Sequence, residues 1–162
     1  MTNVISLKQA TDASGLISGL LLPVENMDLL LPNVSVAEVV DYQRPQPDSS
    51  KPDWFMGTIS WRGLSLPVVS FERMNGQSLA ERGVNPRVVV INAIGPHHEK
   101  QPFFAFITQT IPRLIKVDEE AVSEEAEEEK GPAEKMRVSA QGELAVIPDL
   151  EFMEQQIFTH CR

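Results

Sequence analysis

The side chains in this sequence that could carry out reactions are few and scattered. The three histidines are His97, His98 and His160, and the first two are neighbours in one loop, so their rings need not converge. No Cys or His cluster has the spacing of a metal site. Cys161 is the only cysteine, so no internal disulfide can form, and a cytosolic compartment is expected. There is no glycine-rich phosphate loop, and no serine sits in a nucleophile-elbow pattern. Carboxylates are abundant, but none has a sequence reason to be preferred over a solvated surface role. From Asp118 to Glu129 eight acids crowd together without the spacing of a calcium loop. That run reads as a solvated loop or a fraying helix, with contact to a basic partner as the second reading. A reaction needs a convergent constellation of groups. The sequence offers none, so it points away from an enzyme and away from any cofactor, nucleotide or metal.

The chemistry that remains is recognition. Residues 57–71 read GTISWRGLSLPVVSF, two alternating apolar runs that meet at Arg62 and Gly63. Gly63 can take a positive φ at no steric cost, which a tight strand connection needs. Arg62 would project from that turn, and a guanidinium fork binds carboxylates and carbonyls in fixed geometry. The alternative is an exposed Arg with no role. Trp61 is expected in the core, on the face opposite Arg62 if strand geometry persists to the turn.

The elements that must hold this junction are short strands. Residues 15–23, 27–32, 35–42, 57–61, 64–71, 87–94, 103–111, 112–117 and 142–148 each read as a strand, from β-branched content or apolar runs bounded by Gly and Pro. Pro67 interrupts the fifth of them and places it at an edge or a bulge. Residues 43–54 form a loop with Pro45, Pro47 and Pro52. Residues 149–158 read as a short helix with Asp149 as N-cap and Leu150, Met153 and Ile157 on one face. This spacing fits an all-β barrel class. The connector at residues 72–86 divides the strands into two groups, so a change of lobe is expected there.

The chain of 162 residues is 42% apolar, enough for a core. Its net charge of −9 argues against a nucleic-acid or anionic-membrane surface. No run of apolar residues is long enough to span a bilayer, so no direct membrane insertion is expected. Residues 1–14 read as a flexible leader without the apolar centre of a secretory signal, and residues 159–162 as a tail.

The stretch WFMGTISWRGLSLPVVSFERM resembles the central motif of CheW-like domains, the scaffolds that couple chemoreceptors to the histidine kinase CheA. Gly57, Arg62, Gly63, Pro67 and Val68 keep the family pattern. Ser60-Trp61 stands where the family has Asn-Leu, and Ser70-Phe71 where it has Asp-Leu. The likeness extends from Gly15 to Phe158. It implies two small five-stranded SH3-like β-barrels around a shared core across residues 15–158, with a short C-terminal helix and no catalysis. It also implies two partners, the regulatory domain of a CheA-type kinase and the cytoplasmic tip of a chemoreceptor. Carried over by motif, the residues meeting the receptor are Val36, Glu38, Arg62 and Gly63, with Val36 as an alternative core residue. The Trp-Arg-Gly variant and the Pro-rich loop are similar to the ChpC-like branch of type IV pilus chemosensory systems, which implies twitching motility as the output. Two rival readings remain open at this point, an all-β module of an unrelated envelope or pilus-associated assembly and a small-molecule-binding barrel.

Overall fold

The computed structural model describes residues 16–118, 122–124, 130–140 and 142–161. Among these, the chain runs β1 (Leu16–Val24), β2 (Met27–Pro32), β3 (Val36–Asp41), β4 (Phe55–Trp61), β5 (Leu64–Val69), α1 (Phe71–Met74), β6 (Arg87–Asn92), β7 (Phe103–Ile107), β8 (Arg113–Asp118), β9 (Val122–Glu124), β10 (Glu134–Ala140), β11 (Glu143–Pro148) and α2 (Leu150–His160). They build a six-stranded sheet in the order β8-β1-β2-β11-β10-β9 and a five-stranded sheet in the order β3-β6-β7-β5-β4. All nine expected strands form, and the expected leader at residues 1–14 lies outside the described residues.

The lobes are not divided where the sequence suggested. Residues 72–86 connect β5 to β6 within one sheet. The chain instead leaves the six-stranded sheet after β2, builds the whole five-stranded sheet from β3 to β7, and returns at β8. Two further strands, β9 and β10, were not expected. β10 carries a period-two pattern, with Met136 and Val138 buried. β9 lies in the acidic run that read as a loop or helix, and it pairs with Val138–Ala140 of β10. The rest of that run, residues 119–121 and 125–129, lies outside the described residues.

The strands read as continuous apolar runs because both of their faces are buried. In β6, Val88 and Val90 point into a cluster within the five-stranded sheet, with Ile59, Trp61, Leu66, Val68 and Ala105. Val89 and Ile91, the alternate residues, join a second cluster shared by both sheets and α2. In the six-stranded sheet, Leu30 packs inward with Leu21, Ile115, Met136 and Ile147, while Leu29 and Leu31 face the shared cluster. Leu150, Met153 and Ile157 of α2 seal that middle layer, and the Asp149 carboxylate accepts the Phe152 amide at 3.0 Å as the helix N-cap.

Pro67 does not lie on an edge strand, since β5 sits between β4 and β7. The parallel ladder to β7 begins only at Val68, so the missing N–H falls where no β7 partner is paired. β5 also ends earlier than expected. Ser70 turns the chain into α1, its hydroxyl accepting the Arg73 amide at 3.0 Å.

Candidate functional site

β4 and β5 are joined by a two-residue turn, with Trp61 and Leu64 as the last paired residues. Arg62 (φ 49°) and Gly63 (φ 77°) both adopt positive φ. This is the pattern of a type I′ turn, whose twist matches that of the strands it joins. Asn or Gly normally takes the first position, and an L residue with a long side chain there costs on the order of 1–2 kcal/mol. Gly63 is present for its backbone conformation alone, because a Cβ added to it would meet nothing within 4 Å.

The turn begins at Arg62, so the strand alternation that would have sent Arg62 away from Trp61 stops one residue early. The Arg62 side chain folds back instead, placing its guanidinium carbon 4.8 Å from the centroid of the Trp61 ring. Arg62 Nη2 donates to Glu38 Oε1 at 3.1 Å. The indole Nε1–H of Trp61 donates to the same oxygen at 2.8 Å. Trp61 is 8% exposed and lies edge-on to Phe103, ring centroids 4.9 Å apart. The indole is therefore gripped from inside the barrel and grips Glu38 and Arg62 at its rim. The Arg62 and Glu38 side chains remain 66% and 40% exposed. An ion pair that open contributes at most about 1 kcal/mol to stability.

β3 delivers Glu38 to this rim through an irregularity. Its entry is held by Asn92, whose side-chain N–H donates to the Val34 carbonyl at 3.1 Å. The register then shifts between Val36, opposite Ile91, and Glu38, opposite Val90. Such a bulge re-aims side chains. Ala37 and Val40 pack on the cluster within the five-stranded sheet, and Glu38 reaches Trp61. Val36 is half-buried and packs on the shared cluster between the sheets. The structure thus brings Glu38, Arg62 and Gly63 together and sets Val36 on the other side of the bulge. Sequence reasoning assigned Trp61 to the core alone and missed its polar end; the Trp standing where the resembled motif has Leu was the available signal.

Two buried carboxylates lie away from the rim. Glu134, at the start of β10, accepts from the Arg137 guanidinium (Nε to Oε1, 2.7 Å), Asn75 Nδ2 (2.8 Å) and the Gly131 amide (3.1 Å). Burial works to raise its pKa, but those three donors outweigh burial and hold the carboxyl below the ordinary glutamate value. Glu154, on α2, accepts from the Ile94 amide at 3.1 Å and the Gly95 amide at 2.7 Å. There burial dominates over the amides and pushes the carboxyl up. Among the described residues no three His, Cys, Asp or Glu side chains converge to hold a metal ion, and no helix is long and apolar enough to cross a membrane.

The sequence model of the CheW-like domain family matches residues 18–157. The chain belongs to the CheW-like domain family, whose members are scaffolds rather than enzymes. Its fold is similar to that in the crystal structure of the scaffolding protein TtCheW from Thermoanaerobacter tengcongensis. The TM-score is 0.71 with 17% sequence identity, over 84% of this chain and 90% of that one. At that identity the likeness is one of fold. No curated protein matches the chain.

Proposed function

We propose that this chain is a non-enzymatic adaptor of a chemosensory array, coupling methyl-accepting receptors to a CheA-type histidine kinase from the cytoplasmic side of the membrane. The observation that carries this reading is the rim of the five-stranded sheet. An Arg is held at positive φ, against its own preference, with its guanidinium exposed and braced by Trp61 and Glu38. Backbone strain that a site over-determines marks function more often than accident. The receptor tip, a helical hairpin, meets Arg62, Glu38 and Gly63 there and reaches Val36 across the bulge. The regulatory domain of the kinase binds separately. Family membership and the TtCheW-like fold support the adaptor role. The Trp-Arg-Gly variant and the Pro-rich loop at 43–54 support the finer assignment to type IV pilus twitching motility.

The test is a pair of titrations, with the kinase regulatory domain and a soluble receptor-tip hairpin measured apart, on the wild type and Arg62→Ala. Receptor binding should weaken by about 1–3 kcal/mol, as for a charged hot-spot contact. Kinase binding and the melting temperature should hold. Failure of the wild type to bind either fragment would refute the adaptor role. For the finer assignment, a deletion strain should lose its twitching zone on agar and keep its swimming zone; the reverse pattern would move the protein to a flagellar system.

A further inference from the structure

We infer that Trp61 is a positioning residue that tunes this adaptor for its receptor; the inference rests on the receptor-contact reading above. Three observations converge on it. The Trp61 indole N–H and Arg62 Nη2 donate to one and the same oxygen, Oε1 of Glu38, leaving Oε2 outside both bonds. The face of the same indole carries the Arg62 guanidinium. The indole itself is fixed, buried and set against Phe103 and the cluster within the sheet.

Glu and Arg side chains are rich in rotamers, and each one ordered on binding weakens the complex. A leucine, the residue the resembled motif has at this place, would fill the rim but would offer neither an N–H nor a ring face. Glu38 and Arg62 would then be tied only to each other, through a solvent-exposed ion pair that orders them weakly. With Trp61 in place both side chains are ordered before the partner arrives. Oε2 of Glu38 stays open to accept a donor while Arg62 offers its remaining N–H groups to an acceptor. A residue that is nearly all buried thereby sets the geometry that the partner meets.

Trp61→Phe helps to separate this role from simple packing, because it keeps an aromatic ring against Phe103 while removing the N–H together with the smaller ring of the indole, and its melting temperature reads the packing lost. The indole N–H resonance that disappears in Trp61→Phe identifies Trp61 in the nitrogen-15 NMR spectrum of the free protein. Glu38→Gln should shift that resonance upfield with no partner present. Against a soluble receptor-tip hairpin, Trp61→Phe should weaken binding by up to about tenfold, the ordering cost of the released Glu38 side chain. Kinase-domain affinity should be unchanged. In a double-mutant cycle, Trp61→Phe should add little once Glu38 is already Ala, because the N–H then has no carboxylate to set. A purely structural tryptophan would give additive losses and lower both affinities alike. If Arg62→Ala weakens receptor binding and Trp61→Phe does not, the positioning role is wrong and the receptor site stands. Additive losses in the cycle would overturn the positioning role in the same way. If the wild type does not bind the hairpin at all, the receptor-contact reading falls and this inference with it.

Discussion

Replacing Glu134 tests whether a polar pin holds the two sheets in register. Glu134 is 7% exposed and opens β10 of the six-stranded sheet. Its partner Asn75 follows α1, which leaves the five-stranded sheet, and Asn75 Oδ1 also accepts the Ala133 amide at 3.0 Å. Glu134→Ala strips the acceptor from Asn75 Nδ2, the Gly131 amide and the Arg137 guanidinium at once. Arg137 is partly exposed and regains water, whereas the Asn75 group is buried. The loss should therefore sit at the lower end of the range for breaking a buried pair, about 3 kcal/mol. For a domain of this size that lowers the melting temperature by about 6–12 °C. The pH dependence has a definite sign. A carboxyl whose folded pKa is depressed contributes stability above its unfolded pKa of about 4.3, and that contribution is lost as pH falls through the folded value. Glu134→Gln keeps the shape and loses the charge, so it should be less stable than wild type near neutrality and should converge with it in acid. Thermal melts of the three proteins across that range decide the matter. A gap between Glu134→Gln and wild type that stays constant with pH would refute the reasoning, as would a loss below about 1 kcal/mol for Glu134→Ala.

At Gly57 an added Cβ would clash with the Gln46 carbonyl oxygen, at a φ of 139° that side chains rarely adopt. Gly57→Ala should cost more than about 2 kcal/mol in denaturant unfolding, and a near-neutral result would mean that the 43–54 loop does not press on β4. Trp61→Ala should cost roughly 3–5 kcal/mol for emptying a large aromatic site, while Arg62→Ala should stay within about 0.5 kcal/mol; equal losses in calorimetry would contradict the division between core and rim. Glu154 carries the opposite sign to Glu134: its pKa is raised, so wild type should lose stability as pH climbs from the unfolded glutamate value through the folded one, and Glu154→Gln should flatten that slope in denaturant titrations at stepped pH.

What could be read from the sequence was local. β-branched content and Gly-Pro boundaries mark nine strands, and the Asp149 cap and the 150-153-157 stripe mark α2. The assignment of strands to sheets was not legible, because it depends on pairings between distant segments. Val146 of β11 lies beside Leu29 of β2 in parallel, and Val68 of β5 beside Ala105 of β7. No turn signal reports such contacts, and a mid-chain connector looks like a lobe boundary until they are known. β10 has clean alternation but follows a run of acids that suggests a solvated segment. At the rim, the turn and its Arg were legible because Gly63 demands a turn. The indole bond was not, since Glu38 lies 23 residues before Trp61 and only the bulge in β3 aims it there.

The bulge also constrains how a helix can meet this surface. Glu38 and Arg62 stand on the rim of the five-stranded sheet, and Val36 packs toward the layer shared with the six-stranded sheet. A helix touching all of them must cross from that rim to the seam between the sheets. Its fit then depends on where the six-stranded sheet lies, although none of its strands carries a proposed contact residue. The apolar layer between the sheets fixes their distance but is non-directional and sets orientation only loosely. Directional bonds at its margins fix the angle. Asn75 and Glu134 form one such pin, and Glu154, holding the β6–β7 loop to α2, forms a second. Loosening either pin should therefore shift the six-stranded sheet against a helix seated there while leaving the mutual placement of Val36, Glu38 and Arg62 intact, because all three belong to one sheet and move together.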